Sequence, residues 1–179
     1  ITSCRLCRLH RGRTNAVPGE GPINAKIMVV GEAPGFNEDR QGRPFVGAAG
    51  KLLDQLLKIA GLEREKVFIT NVVKCRPPGN RDPKEDEIEI CTSNFLRPQF
   101  QILRPSLTIA LGRIAGGVLL GRKVLMSREH GKVYPCEYAG IRHQLFLTYH
   151  PAAGLYGAET KQELIADFRL LKSVIGRAR

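Results

Sequence analysis

The residues of this chain whose types and spacing could do chemistry are its cysteines and three short polar motifs. Cys4 and Cys7 form a C-x2-C pair, Cys75 and Cys91 are separated by fifteen residues, and Cys136 stands alone. Five cysteines with no signal-peptide pattern argue against a disulfide framework and for metal or redox use. Two ligands from one tight turn plus two from distant elements make a tetrahedral thiolate site, for zinc or for an iron-sulfur cluster. The competing reading, buried apolar cysteines, suits Cys136 better than a pair set beside Arg5, Arg8 and His10. The polar motifs are Gly31-Glu32-Ala33-Pro34-Gly35 with Glu38 and Asp39 behind it, Asn71 with the loop CRPPGNRDP, and His150-Pro151. Carboxylates, an amide and an imidazole are groups that orient water, read a polar edge and stabilise developing charge.

Each motif needs an element to hold it. Ile27 to Gly31 and Val67 to Val73 read as short buried strands, and Leu107 to Leu111 as a third. A helix is expected from about Ala48 to Ala60, with Leu52, Leu53, Leu56, Leu57 and Ile59 on its apolar face and Gly61 ending it. Asp82-Pro83 followed by acids starts another helix running to about Leu103, which carries Cys91 roughly two turns in. A helix from Ile114 to Leu120, short strands at Lys132 to Tyr134 and Gln144 to Thr148, and a closing amphipathic helix TKQELIADFRLLKSVI complete the pattern. Residues 1 to 25 look irregular and need an anchor, which a metal clip at Cys4 and Cys7 would supply.

Strand-helix alternation predicts an α/β fold in one domain spanning residues 1–179, with a mainly parallel sheet between two helical layers. Ligands in such sheets bind beyond the carboxyl ends of the strands. Gly31 to Phe45, Asn71 to Asn80, the turn after Leu111 and His150 to Tyr156 all fall there, so one site is expected. The glycine-rich stretch Arg40 to Gly50 lets backbone approach a ligand closely, and Phe45 offers a stacking face.

The 179 residues carry 28 Lys plus Arg against 17 acids, a net charge of +11, which favours a polyanionic partner such as nucleic acid. No apolar run is long enough to cross a membrane, so a cytoplasmic protein without membrane association is expected.

In combination, GEAPG at 31–35, GRPFVGAAGKLLDQLL at 42–57, NVVKCRPPGNRDP at 71–83 and YHPAA at 149–153 resemble the family 4 uracil-DNA glycosylases, the iron-sulfur branch of that superfamily. The resemblance runs in order from Cys4 to the closing helix. It implies a three-layer α/β/α sandwich around a central, mainly parallel four-stranded sheet, and a 4Fe-4S cluster held by Cys4, Cys7, Cys75 and Cys91. It implies a monofunctional, monomeric enzyme of base excision repair that flips uracil out of uracil-containing DNA, hydrolyses its glycosidic bond and releases uracil, with activity at the nucleoid and a lean towards heat adaptation.

By the same resemblance Gly31, Gly35 and Asn80 shape the uracil pocket, Phe45 stacks under the base, Asn71 reads its pairing edge and His150 donates to O2. Glu32 is the leading candidate to orient water or stabilise the sugar cation, with Glu38 as a second carboxylate that could instead cap a turn. The family 1 branch has Gln-Asp where this chain has Glu32-Ala33, so the usual water-activating Asp is absent. After the HPAA segment Leu155 is placed to wedge into the base stack, but Tyr156 stands where the family carries Arg. Lys74, Arg76, Arg81 and Arg113 are candidates for phosphate contact. The loop CRPPGNRDP lacks the nucleophilic His of the covalent uracil-trapping relatives, so turnover is expected. Gln162-x-x-Ile165-x-x-Phe168 partly matches a sliding-clamp motif but lacks its second aromatic and reads better as the closing helix face. The alternative class is a non-catalytic iron-sulfur or zinc protein that binds nucleic acid through its charge.

Overall fold

The computed structural model describes residues 1–177. In chain order its elements are β1 (Ile27–Gly31), α1 (Phe36–Gln41), α2 (Ala48–Ile59), β2 (Phe68–Asn71), α3 (Glu85–Cys91), α4 (Arg97–Leu103), β3 (Leu107–Leu111), α5 (Arg113–Leu120), α6 (Met126–Glu129), β4 (Lys132–Tyr138), β5 (Ile141–Thr148), α7 (Ala153–Tyr156) and α8 (Ala158–Arg177). A π-helical turn, Thr92–Leu96, joins α3 to α4, so the helix expected across this region is one rod with a bulge just past Cys91.

The sheet order is β2-β1-β3-β5-β4. β1, β2, β3 and β5 pair in parallel, as the four-stranded expectation requires, and β4 adds a fifth, antiparallel strand at the edge. The edge strand runs through Pro135, whose missing N–H is tolerated where no further neighbour needs it. β4 and β5 close through Ala139-Gly140, both at positive φ, the backbone a tight two-residue hairpin needs.

Alternating side chains of the parallel strands feed two cores. Met28, Val30, Ala110, Leu145 and Leu147 pack with Leu96, Phe100, Ala115 and Leu119 on one face. Val29, Ile109, Leu111 and Phe146 pack with Leu53, Leu56, Leu57, Leu164 and Phe168 of α2 and α8 on the other. Burial on both faces explains why the central strands read as unbroken apolar runs. The order reverses at β1, which lies between β2 and β3, and this switch point opens a crevice at the strands' carboxyl ends.

The amino-terminal segment is tied to the body by more than cysteines. Buried Asp39 accepts the N–H of Thr14 at 2.8 Å and of Asn15 at 3.3 Å, and Val17 donates to the Lys74 carbonyl at 2.7 Å. Glu20 and Ile69 exchange two backbone bonds. Among the described residues no helix is long and apolar enough to cross a membrane. In the partial clamp motif Phe168 is fully buried in the core, leaving only Gln162 exposed.

Candidate active site

A cleft of about 310 Å³ opens at the switch point, lined by Glu32, Gly35, Glu38, Phe45, Asn71, Asn80, Arg81 and His150. The ends of β1, β2 and β5 thus bring the predicted residues together. Leu155 and Tyr156 lie outside the lining on α7, with Tyr156 92% exposed.

The floor is fitted around two glycines. A Cβ on Gly31 would sit 2.4 Å from Asn71 Oδ1 and 2.6 Å from Phe45 Cζ, and one on Gly50 would meet the Phe45 carbonyl at 2.0 Å. Phe45 itself has φ +50, an uncommon conformation for a bulky residue that the surroundings must impose. Arg64 supplies the restraint, donating to the carbonyls of Pro44 at 2.6 Å and Phe45 at 3.2 Å while pairing with Asp54 at 2.8 Å. Arg64 is missed by sequence reasoning because the segment EREK reads as a charged surface turn.

Glu38 lies on α1, and its carboxylate is engaged from three sides. Oε1 accepts Val46 N–H and Gly47 N–H, each at 2.9 Å, and Oε2 accepts Gly35 N–H at 3.1 Å. The short helix α1 is unexpected from sequence, although an acid three residues after a cap position is a start signal. Glu32 has a different setting. Burial and the neighbouring Asp82 carboxyl push it up to about 7, opposed by Arg113, which pairs with Asp82.

His150 Nδ1 accepts the Ala152 N–H at 3.2 Å, so its proton resides on Nε2. Burial pulls the imidazole down to about 4 against the pull of Glu38, and the ring is therefore neutral at pH 7. It stacks on Phe45 with centroids 5.6 Å apart. Asn71 is almost wholly buried, and its Oδ1 has no hydrogen-bond partner. A buried amide oxygen without a partner is rare in a folded chain and points to a missing ligand group. Asn80, at φ +55, accepts Arg76 Nε at 2.7 Å.

The cationic candidates have different fates. Arg81 makes a two-pronged pair with buried Glu87, both bonds at 2.8 Å, and Arg76 also lies over the Phe36 ring at 5.1 Å. Lys74, expected at a phosphate, is 1% exposed and donates to Thr70 Oγ1, Asn71 O and Gln99 Oε1. No DNA phosphate can reach it. Burial pulls its ammonium down to about 7, with Cys91 pulling the other way.

Cys4, Cys7, Cys75 and Cys91 line a second, small cavity of about 10 Å³ with Ile1, Lys74, Ile90 and Phe95. Among the described residues no three His, Cys, Asp or Glu side chains are gathered tightly enough to hold a single metal ion. The donor chemistry nevertheless fits a thiolate-bound group. Leu6 N–H, Lys74 N–H and Arg13 Nη1 point at the sulfurs of Cys4, Cys91 and Cys75, at 3.5, 3.2 and 3.0 Å. Burial raises the Cys7 and Cys75 thiols and pushes Cys91 up to about 11, so a bound metal must displace their protons. Cys136 is apart from them, its thiol donating to the Leu119 carbonyl at 3.2 Å.

Residues 18–169 match the family model described as the uracil DNA glycosylase superfamily. The chain is 50% identical to a type-4 uracil-DNA glycosylase of Sulfurisphaera tokodaii, over 97% of this chain and 81% of that protein. It is 49% identical to a type-4 uracil-DNA glycosylase of Saccharolobus solfataricus, over 98% of this chain and 83% of the relative. A third, from Archaeoglobus fulgidus, is 46% identical over 99% and 90%.

Proposed function

The chain belongs to the uracil-DNA glycosylase superfamily, in its type-4 branch, and from that premise we propose how its own residues excise uracil from DNA. The enzyme hydrolyses the N-glycosidic bond of deoxyuridine, leaving an abasic site for repair. The observation that carries the assignment to this cleft is the unpartnered Asn71 Oδ1. Uracil presents N3–H to that oxygen and O4 to the amide NH2, whereas cytosine presents an acceptor and a donor in the reverse order. Mispaired polarity in a buried site is expensive, which gives discrimination against the normal base.

As the bond from C1′ to uracil N1 breaks, negative charge collects on O2. His150, neutral and protonated on Nε2, donates a hydrogen bond there without needing to lose or gain a proton. Water adds to C1′ from the opposite side. Glu32, poised near neutral pH, orients that water and accepts its proton, and the uracil anion is protonated after departure. With its three backbone bonds Glu38 is a positioning residue, fixing the Gly35 and Val46–Gly47 lips of the cleft. Leu155, 41% exposed on α7 just after the cleft residues His150 and Ala152, fills the gap left by the flipped base.

Cys4, Cys7, Cys75 and Cys91, which line one cavity, would hold a 4Fe-4S cluster, a group whose four thiolate ligands this donor set can supply. When bound, it ties the first residues of the chain to the loop after β2 and to α3. The direct test is incubation with a single-stranded oligonucleotide carrying one uracil, followed by alkaline cleavage at abasic sites. Strand scission at the uracil position is expected, none with cytosine in its place, and a chain that releases no uracil refutes the reading.

A further inference from the structure

Among the described residues Lys74 is one of the largest fully buried side chains. Its three ammonium donors meet three neutral acceptors, Thr70 Oγ1 at 2.6 Å, Asn71 O at 2.7 Å and Gln99 Oε1 at 2.7 Å. Among the described residues no carboxylate lies within ion-pair distance of it. Burying a cation with no anionic partner is costly even when it is hydrogen-bonded, and a methionine would fill the same space without that cost. The charge therefore needs a counterpart, and the cavity wall beside it is where four thiols meet. Four thiolates around a cubane cluster of charge 2+ carry a net charge of 2−. Lys74 lines this cavity with its backbone N–H on Cys91 Sγ, while its ammonium turns to Thr70, Asn71 and Gln99, and the Arg13 guanidinium stands on Cys75 Sγ. A dianionic cluster held there would have these two cations beside it.

The other end of the contact is the base reader. The Lys74 ammonium binds the backbone carbonyl of Asn71, the residue whose Oδ1 waits unpartnered in the cleft. We propose that Lys74 is a positioning residue coupling the two sites: it is the buried counter-cation of the cluster, and with the same ammonium it fixes the strand end that presents Asn71 to uracil. The coupling rests on the cluster reading above.

Lys74→Met, measured as the iron-loaded protein, separates the possibilities. Three results are expected together. The cluster's reduction potential moves to more negative values, because losing a nearby cation disfavours the more anionic reduced state. Single-turnover uracil release falls about tenfold, the loss of one charge-assisted hydrogen bond. Affinity for DNA carrying an abasic-site analogue, which offers Asn71 nothing to read, stays within twofold. Arg13→Gln, which touches Cys75 and the Thr2 carbonyl but not Asn71, should move the potential in the same direction and leave release unchanged. A Lys74→Met protein with unaltered potential and release overturns the proposal, as does one in which only one of the two moves. If Lys74→Met does not fold, Thr70→Val removes one ammonium acceptor and keeps the charge. A several-fold loss of release then supports the positioning, and an unchanged rate overturns it. Iron analysis of the parent protein stands apart: an iron-free, colourless protein refutes the cluster reading itself.

Discussion

The uracil cleft and the cysteine cavity hang from the same five residues, Asn71 to Cys75, and are built on opposite terms. The cleft is finished by the protein alone. Glu38 gathers three N–H groups, Arg64 holds two carbonyls, and Gly31 and Gly50 admit Phe45, while Asn71 Oδ1 keeps no partner, as the proposed base reader requires. In the cavity the N–H groups of Leu6, Lys74 and Arg13 point inward at sulfur, and the thiols of Cys7, Cys75 and Cys91 are pushed towards their protonated forms by burial. Its donors suit the negative charge that the proposed cluster would bring. A transient ligand calls for walls rigid before it arrives, whereas a permanent one can serve as part of the wall.

If that distinction holds, the largest effect comes from the donor proposed to stabilise charge in the cleft. His150→Ala is expected to slow single-turnover uracil release by about 10²- to 10³-fold, the usual cost of removing one preorganised donor to a developing anion. Melting temperature and abasic-DNA affinity should remain near the parent values, since among the described residues the His150 ring takes a hydrogen bond from the Ala152 N–H alone. A loss below about threefold would remove His150 from the chemistry.

Much of this division can be read in the sequence, because the cleft residues sit at the ends of apolar runs. Strand periodicity places Glu32 after β1, Asn71 at the end of β2 and His150 just past β5, and parallel sheets put such ends together. Pairings that only tertiary structure creates are hidden there. Lys74 reads as a surface cation, since nothing local announces that Thr70, Asn71 and Gln99 enclose it. Arg64 and Asp39 act across gaps of 19 and 25 residues, on Phe45 and Thr14. β4 reads as three residues because Pro135 normally ends a strand, a rule relaxed at a sheet edge. α1 is concealed by flanking glycines whose meaning, cap or loop, depends on the Glu38 contacts.

The cavity should fail differently. Cys75→Ser is expected to abolish visible colour and lower uracil release by about tenfold, less than His150→Ala, because Cys75 is four residues from Asn71 and outside the cleft lining. Trypsin should then cut at Arg5, Arg8 or Arg11. Residues 14 to 20 should stay protected, since Asp39, Lys74 and Ile69 hold them through bonds that involve no sulfur. A rate loss equal to that of His150→Ala would break the comparison, showing that the cleft depends on the cluster for its shape.

The smallest effect is the sharpest probe of how far the two regions communicate, because it is read through Glu32. Release at saturating enzyme should rise with pH as the carboxylate forms, with a midpoint near 7, and fall about fourfold between pH 8 and pH 6.5. Glu32→Gln should flatten this limb at a lower rate. The stability sign is opposite: folding raises this carboxyl from the ordinary carboxylate range, so its contribution is complete below about pH 4.5 and is lost as pH rises through 7. Glu32→Gln should therefore melt higher than the parent at pH 8 and equally at pH 4. The midpoint depends on Asp82, which begins the arm leading to α3 and Cys91, and on its partner Arg113. If the cluster keeps that arm in place, Cys75→Ser lets Asp82 withdraw and the midpoint drops below that of the parent. An unmoved midpoint means that the arm is held by Arg81 on Glu87 and by Arg8 on Asp86 without help from the cysteines.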